Sequence, residues 1–258
     1  DALKTADNYM LYKLAVKTIA QKHGTTATFM PKPFWGVNGS GCHIHQSIIE
    51  LDTAKNIFSD PDTEYGLSET AIHYIGGLLK HAQAMSMIVT PLVNSYKRLV
   101  PHYEAPVYVA WGYANRSAIV RVPLAPGEKN TVTRLEYRHP DPSCNPYLAS
   151  TILLKAGWEG IEKKIEPIQD IQENIYEFSK KQLKEHGVTF LPEHLGEAVE
   201  YFEEDKSMKG IIGDFLFSNL IELKREEYDS YMNYTGIEWA ASRPQITPWE
   251  YERYLTRA

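Results

Sequence analysis

Two histidines in the segment PKPFWGVNGSGCHIHQSIIELD, residues 31–52, have the spacing of side chains that share one face of a β-strand. Successive residues of a strand point to opposite faces, so His43 and His45 lie on the same side. Two imidazoles on one surface could serve a ligand, but a polar, solvent-exposed strand face has the same pattern. Both interpretations stay open on the spacing alone.

The loop before these histidines is rich in glycine. Asn38, Gly39, Ser40 and Gly41 follow one another, and the two glycines can take positive φ and carry no side-chain bulk. Such a loop lets backbone N–H groups approach a ligand closely, although the same glycines could simply form a tight turn. The combination of this loop with paired histidines favours a binding site.

Four arginines, Arg116, Arg121, Arg134 and Arg138, lie on or beside predicted strands in NRSAIVRVP and TRLEYRHPD. A guanidinium is always charged and binds carboxylate or phosphate with two hydrogen bonds, so the cluster indicates a site for an anionic substrate. Arg134, Glu136 and Arg138 alternate by two, which places a carboxylate between two guanidiniums on one face. An exposed ladder of charges would show the same spacing.

A further charged segment, NSYKRLVPHYEAPVYV, places Lys97 and Arg98 six or seven residues before Glu104. Prolines bound this segment, which is therefore predicted to be a loop. Loops positioned by a rigid scaffold often carry functional residues, but a plain surface loop is the alternative.

The composition is that of a folded globular protein, with 258 residues and 43% hydrophobic content. A net charge of -6 gives no reason to expect nucleic acid or an anionic membrane as a partner. The apolar runs are too short to span a bilayer, and the first residues have no signal-peptide character. Cys42 and Cys144 form no CxxC motif, which argues against thiolate-held zinc and favours a reducing compartment, the cytoplasm.

Hydrophobic periodicity predicts an α+β core over residues 1–165 and a mainly helical part over residues 166–258. An amphipathic helix is expected over residues 1–23, ended by Gly24, and a long buried helix is expected over residues 68–90, capped by Ser68. A helix is also expected to begin after Thr247, which can cap it, with Pro248 in the first turn and Glu250 three residues after the cap. The predicted strands are 26–35, 41–51, 107–113, 117–125 and 133–140, with a turn at 125–130.

Several of these segments together resemble the class I, prokaryotic-type glutamine synthetases. The segments are TATFMPKPFWGVNGSGCHIHQS, NSYKRLVPHYEAP, NRSAIVRVP and RLEYRHPDPSCNPYLA, and their order and most spacings match over residues 1–165. The ending, ELKREEYDSY and TPWEYERYL, is also similar. The resemblance implies an α+β fold in which helices flank a curved, mainly antiparallel sheet of the type shared with guanido kinases. A helical C-terminal subdomain, residues 166–258, would complete the same catalytic domain.

The resemblance also implies a role for each site residue. His43 and Glu136 would bind the second of the divalent metals, Mg²⁺ or Mn²⁺. The glutamate-binding residues would be Asn38, Gly39, Arg98 and Arg138. The nucleotide-binding residues would be His45, Ser47, Arg121 and Arg134. Glu104, on a flap that closes over the glutamate end, would take part in catalysis with Arg116 and Arg121.

The implied reaction joins ammonia to the γ-carboxylate of L-glutamate, with ATP as co-substrate and γ-glutamyl phosphate as intermediate. The family forms cytoplasmic homo-oligomers, dodecamers at full length, and needs neither nucleic acid nor a membrane. Two alternatives stay open: a ligase of the same fold that joins glutamate to an organic amine, and a non-catalytic structural relative. Glu104 favours ammonium, and the retained metal and arginine residues argue against a scaffold.

The chain also departs from the family pattern. His102 replaces a flap glycine, and Val37 stands where an acid is common. The remaining metal carboxylates and a small β-domain of the family would precede residue 1, so a C-terminal catalytic portion with negligible activity on its own is expected. Tyr176 aligns with a tyrosine that some members adenylylate, but without the usual following residues a surface tyrosine is expected.

Overall fold

The computed structural model of the chain describes residues 1–63, 65–101, 103–123 and 133–258. In chain order, helices α1 to α11 span Ala2–Lys22, Glu69–Lys80, Ala82–Val89, Ser95–Arg98, Pro146–Lys163, Lys180–Glu185, Leu195–Glu204, Lys206–Ile212, Asp214–Thr235, Trp239–Ser242 and Pro248–Tyr254. A short 3₁₀ helix covers Ile175–Glu177. In the described part of the chain, no helix combines the length and apolar character that a membrane span requires.

A five-stranded sheet carries the chemistry-bearing residues. Strands β1 to β5 span Ile44–Gln46, Tyr108–Tyr113, Ala118–Val122, Leu135–Tyr137 and Thr189–Phe190. Their spatial order is β1-β4-β3-β2-β5, and only the β2–β3 pair is parallel. Helices flank this sheet, so the predicted α+β class with a mainly antiparallel sheet is confirmed.

Several local predictions are confirmed by the structure. Gly24 follows α1 with φ +67, and the Ser68 side chain accepts a hydrogen bond from the Ala71 N–H at the start of α2. Thr247 and Glu250 form the capping box of α11. The helix predicted over residues 1–23 is present as α1, and its apolar residues Leu11 and Leu14 are 62% and 64% exposed in this chain.

The strand predicted over residues 26–35 is wrong, since the structure has no strand there. Pro31 and Pro33 have no N–H to give to a sheet. Between them, Lys32 directs its backbone N–H to Asn94 Oδ1 at 2.7 Å, and its carbonyl accepts from Asn94 Nδ2 at 3.0 Å. A side chain therefore satisfies the backbone groups that a neighbouring strand would otherwise satisfy.

The single helix predicted over residues 68–90 is also wrong, because His81 separates α2 from α3. Its imidazole Nδ1 lies 2.5 Å from a carboxylate oxygen of Asp205, the cap residue of α8, so a long-range contact accompanies the break. The other predicted strands are present but shorter at their ends. The turn expected at 125–130 and the substitution at His102 lie outside the described residues.

Helices α2 and α5 approach closely through glycines. A Cβ added to Gly77 would lie 2.1 Å from the Ala156 carbonyl oxygen and 2.9 Å from the Gly160 nitrogen, and both are backbone atoms. A methyl group there would force the two helices apart.

Gly77→Ala is therefore expected to lower the free energy of unfolding by about 1–3 kcal/mol, as overpacking of a core does. Urea unfolding monitored by circular dichroism measures this change. Gly210→Ala in α8 is the control, because its added Cβ meets no atom within 4 Å. Alanine has the higher helix propensity, so this control should not destabilise. Equal losses in both variants would contradict the packing argument.

Candidate active site

Glu136, in the middle of β4, joins three strands at the site. The sheet register pairs it with His45 on β1 and with Arg121 on β3. Its carboxylate oxygens lie 2.8 Å from His43 Nδ1 and 2.7 Å from Arg121 Nη1, and the residue is 4% exposed. His43 itself lies just before β1 rather than within it. The structure thus brings together the two predicted metal ligands and one predicted phosphate-binding arginine.

The charge of Glu136 is stabilised by these contacts. Burial alone would raise the pKa of the carboxyl, but hydrogen bonds from His43 and Arg121 outweigh burial and lower the pKa to about 2. Glu136 therefore stays ionised at neutral pH, as a carboxylate that could bind a cation.

Arg138 follows β4 and is 4% exposed, yet its guanidinium is only partly paired. Its Nε lies 3.7 Å from a Glu136 oxygen, and its Nη2 lies 3.5 Å from the Glu104 carbonyl oxygen. Its Nε and Nη1 have no hydrogen-bond partner among the described residues. Buried donors without hydrogen-bond partners are costly, so these two are able to bind an acceptor that enters the site.

Arg138 borders a cavity of about 170 Å³. The lining residues are Asn38, Gly39, Gly41, His43, Arg98, Tyr103, Glu104, Ala105 and Arg138. All four residues predicted to bind glutamate line this cavity, together with the predicted flap residue. Glu104 has φ +59, a left-handed conformation that is uncommon for residues with a side chain and that is often found at functional sites.

A larger cavity of about 470 Å³ shares Glu104 and Arg138 with the first. Arg116, which is exposed in the loop between β2 and β3, also lines it. Asn115 accepts hydrogen bonds from the Ser117 N–H at 2.9 Å and from the Ser117 hydroxyl at 2.7 Å, and these bonds brace the loop on both sides of Arg116.

Tyr176, expected as a plain surface tyrosine, lines the same cavity. The residue is half-buried, and its hydroxyl donates to the Ala105 carbonyl oxygen at 2.7 Å. Burial raises the pKa of its phenol. This tyrosine thus connects the 3₁₀ helix to the residue that follows Glu104.

Arg98 is buried in α4, which excludes the surface-loop alternative for this residue. Its Nη1 donates to the His139 carbonyl oxygen at 2.8 Å, and its Nη2 donates to the Arg138 carbonyl oxygen at 3.3 Å. Burial lowers the pKa of its guanidinium. A Cβ added to Gly39 would lie 2.4 Å from the backbone oxygen of Pro31 and 3.2 Å from Arg98 Cγ, so glycine is needed where the loop passes this arginine.

Apart from Arg121, which contacts Glu136, the residues predicted to bind nucleotide lie together. Arg134 Nε donates to His45 Nδ1 at 3.3 Å. Burial lowers the pKa of His45, which favours the neutral imidazole that can accept this bond. His45 and Ser47 also line a cavity of about 280 Å³ beside Tyr74.

Sequence reasoning missed a buried lysine that supports the glycine-rich loop. Lys32 is fully buried, and its Nζ donates to the Val37 carbonyl oxygen just before Asn38. The same ammonium lies 4.1 Å from the ring centroid of Tyr103, the neighbour of Glu104. One cation therefore contacts both the loop and the flap segment. A lysine between two prolines is the only sequence signal, and it does not reveal these contacts.

The chain is similar to known proteins over nearly its whole length. The sequence model of the family described as glutamine synthetase, catalytic domain, matches residues 1–254. The chain belongs to this family. Glutamine synthetase of Pyrococcus abyssi is 49% identical over 256 residues, which are 99% of this chain and 56% of that relative. The Thermotoga maritima enzyme is 46% identical over 253 residues, 98% of this chain and 54% of that relative.

Solved structures of GmaS share the fold. A ligand-free GmaS is 37% identical, with a TM-score of 0.76, and the match covers 98% of this chain and 53% of GmaS. A GmaS complex with ADP has a TM-score of 0.79 at the same identity and covers 54% of GmaS. This glutamine synthetase-family chain thus spans about half the length of the relatives it matches.

The metal donors of this glutamine synthetase-family chain are few. In the part of the chain that the structure describes, no three or more His, Cys, Asp or Glu residues are grouped closely enough to hold an ion. His43 and Glu136 are two such donors in contact. As an imidazole and a carboxylate, they are donors that could fill part of the coordination sphere of a divalent ion.

Proposed function

We propose that the protein containing this chain ligates ammonia to the γ-carboxylate of L-glutamate with hydrolysis of ATP. The observation that carries the proposal is the buried Arg138, which lines both cavities and whose Nε and Nη1 have no hydrogen-bond partner among the described residues. A dicarboxylate supplies the acceptors that these donors need. The matching relatives named glutamine synthetase support the same reaction.

In this proposal the smaller cavity binds glutamate. Arg98 and Arg138 attract its carboxylates, and the loop residues Asn38 and Gly39 lie beside the amino acid. The γ-carboxylate attacks the γ-phosphate of ATP to give γ-glutamyl phosphate and ADP, and ammonia then displaces phosphate. Glu104 binds ammonium and accepts its proton, because an anionic side chain at the cavity entrance favours the cation.

The arginines outside that cavity would neutralise phosphate charge. Arg121 contacts Glu136, Arg134 contacts His45, and Arg116 lines the larger cavity, so all three lie around the proposed site. Charge neutralisation is the main catalytic need of phosphoryl transfer. His45 and Ser47 would contact the nucleotide, and the ADP complex of GmaS supports nucleotide binding by this fold.

We further propose that His43 and Glu136 hold Mg²⁺ or Mn²⁺. An ionised carboxylate and an imidazole suit these ions, and the 2.8 Å contact between the two side chains places both donors together. When bound, the cation would neutralise the nucleotide phosphates. A cytoplasmic location and a homo-oligomeric state are further expectations from the family resemblance.

His43→Ala in the full-length protein is expected to weaken Mn²⁺ binding and to slow phosphoryl transfer. The variant loses one of the two donors and leaves Glu136 with Arg121 as its closest partner. Titration calorimetry with Mn²⁺ and the metal dependence of turnover measure both effects. His23→Ala, at an exposed histidine after α1, is the control. Wild-type metal binding and turnover in His43→Ala would contradict the assignment.

The reaction itself can be tested by phosphate release from the full-length protein with ATP, glutamate and one of two amines. We expect release that depends on ammonium, with glutamine as the product. Release that needs methylamine would favour the organic-amine ligase. No release with either amine, in a sample that is folded, would favour the non-catalytic relative.

A further inference from the structure

The glycine-rich loop closes back on the segment that precedes it. The Ser40 N–H donates to the Pro31 carbonyl oxygen at 2.8 Å. The residue after Pro31, Lys32, donates from its Nζ to the Val37 carbonyl oxygen. These two hydrogen bonds bracket the two residues between Val37 and Ser40, both of which line the smaller cavity. The loop is therefore fixed on both sides of its proposed contacts with glutamate.

The Lys32 ammonium also faces two aromatic rings. It lies 4.1 Å from the ring centroid of Tyr103 and 5.6 Å from that of Trp35. Both distances are within the range of cation–π attraction. Tyr103 lines the smaller cavity and directly precedes Glu104. The lysine side chain therefore reaches the segment that carries the proposed proton acceptor.

The position of Lys32 is itself fixed by its surroundings. Its backbone N–H and carbonyl are bonded to the Asn94 amide at 2.7 and 3.0 Å. Its side chain is fully buried, and among the described residues it has no carboxylate partner. A buried cation without a counter-charge is costly. An apolar side chain of similar size would fill the space without that cost, so packing alone does not account for the charge.

Given the proposed ligase reaction, we propose that Lys32 is a positioning residue, which holds the glycine-rich loop and Glu104 at the smaller cavity. Its ammonium bonds the loop through Val37 and attracts the ring of Tyr103, so one charge holds two segments that are far apart in sequence. In the proposed reaction the loop lies beside glutamate, while Glu104 accepts the proton of ammonium. Loss of the charge would displace this carboxylate from the loop and leave γ-glutamyl phosphate open to water.

Lys32→Met in the full-length protein is expected to slow glutamine formation by about tenfold or more, because small displacements of catalytic groups are costly. Phosphate release should fall less, so that the ratio of phosphate to glutamine rises by about twofold or more. In the uncoupled reaction water displaces phosphate in place of ammonia and returns glutamate. A general loss of folded enzyme would lower both rates equally and leave the ratio unchanged. Assays of phosphate and glutamine in the same sample measure the ratio.

Two lysine variants are the controls. Lys32→Arg keeps a cation that can donate to a carbonyl and lie on a ring, so it should bring the ratio back towards that of the wild type. Lys22→Met removes the charge of an exposed lysine at the end of α1 and should change neither rate.

The aromatic partner gives an independent test. Tyr103→Leu removes the ring and should also raise the ratio of phosphate to glutamine. Lys32→Met should have a smaller effect on that ratio in the Tyr103→Leu background than in the wild type, because both substitutions remove the same contact. Effects that multiply in the double variant would contradict the shared contact.

Amide hydrogen exchange without substrates tests the same contacts independently of the reaction. In folded Lys32→Met, exchange should be faster in peptides from residues 35–41 and in the peptide that contains Tyr103 and Glu104, and unchanged in α2. If Lys32→Met does not fold, Tyr103→Leu decides by the same two measurements. An inactive wild-type protein would refute the ligase reaction alone, whereas unchanged exchange in either segment would refute the link through Lys32. A folded Lys32→Met variant with the wild-type ratio of phosphate to glutamine would overturn the positioning role.

Discussion

Glu250→Gln is expected to lower the free energy of unfolding by about 3–5 kcal/mol, because it leaves a buried lysine without its counter-charge. Lys97 and Glu250 are both fully buried, and Lys97 Nζ lies 2.6 Å from Glu250 Oε2. The same ammonium donates to the Tyr231 hydroxyl and to the Gln245 carbonyl oxygen, each at 2.7 Å. Neutral acceptors of this kind cannot replace a carboxylate in a dry interior.

The loss should depend on pH in a defined direction. Burial lowers the pKa of Lys97 below its usual value, and the charge of Glu250 opposes that change. In Glu250→Gln the pKa of Lys97 falls further than in the wild type. The folded variant therefore binds fewer protons than its unfolded chain over a wider pH range than the wild type does. Stability rises with pH where the unfolded state binds more protons. The deficit of Glu250→Gln should therefore shrink as the pH is raised towards the usual lysine pKa.

Urea unfolding at several pH values measures this deficit, and two controls define its origin. The double variant Lys97→Met/Glu250→Gln removes both charges but keeps an acceptor for the Thr247 N–H and for Asn94, so it should recover much of the loss. Glu185→Gln breaks the exposed pair with Lys181, whose atoms are 3.7 Å apart, and should change little. A deficit in Glu250→Gln no larger than in Glu185→Gln would contradict the argument.

This buried pair also connects the last helix to the candidate site. Glu250 Oε1 accepts from Asn94 Nδ2 at 2.8 Å, and Asn94 also bonds both backbone groups of Lys32. Lys32 in turn contacts the carbonyl of Val37, next to the glycine-rich loop. We therefore expect loss of the pair to disturb the loop that lines the smaller cavity.

The sequence could predict features that depend on short-range rules. Alternation along β4 placed Glu136 beside Arg138 on one face, and the structure shows that contact. The caps at Ser68 and Thr247 follow from local hydrogen bonding, which residue type largely determines. The grouping of Asn38, Gly39, Arg98 and Arg138 around one cavity came from the family resemblance instead, because these segments are distant in sequence.

Features set by long-range contacts could not be predicted. The sequence around Lys97 is typical of a loop, and the carboxylate that pairs with this lysine, Glu250, lies 153 residues away. The helix break at His81 coincides with a contact to Asp205, which no local pattern indicates. The segment 26–35 alternates like a strand, but the amide of Asn94 takes the backbone bonds of Lys32. Each case involves a contact with a side chain distant in sequence, which the local pattern does not indicate.

Arg138→Ala in the full-length protein is expected to raise the glutamate KM by about tenfold or more, with a smaller effect on ATP. Truncating one partner of a buried guanidinium–carboxylate contact costs roughly 2–5 kcal/mol, because the other charge is left unpaired. Arg138 lines the smaller cavity, and its buried Nε and Nη1 have no hydrogen-bond partner in the described part of the chain; this cavity is the proposed place of the substrate carboxylate.

Arg134→Ala should behave differently, although it lies only four residues earlier. Its Nε contacts His45 in the predicted nucleotide group, and it does not line the smaller cavity. We expect it to impair ATP use or kcat and to leave the glutamate KM close to that of the wild type. Arg138→Lys keeps the positive charge but cannot form the bidentate contact with a carboxylate. Its glutamate KM should therefore lie between those of the wild type and Arg138→Ala.

Steady-state kinetics with each substrate varied in turn measure these effects. Thermal unfolding of each variant is the control for folding, because Glu136 keeps its contacts with His43 and Arg121 when Arg138 is truncated. A folded Arg138→Ala variant with an unchanged glutamate KM would refute the assignment of Arg138 to glutamate. Equal effects of the two alanine substitutions on both substrates would refute separate roles, because a guanidinium on a carboxylate and one on a phosphate must affect different Michaelis constants.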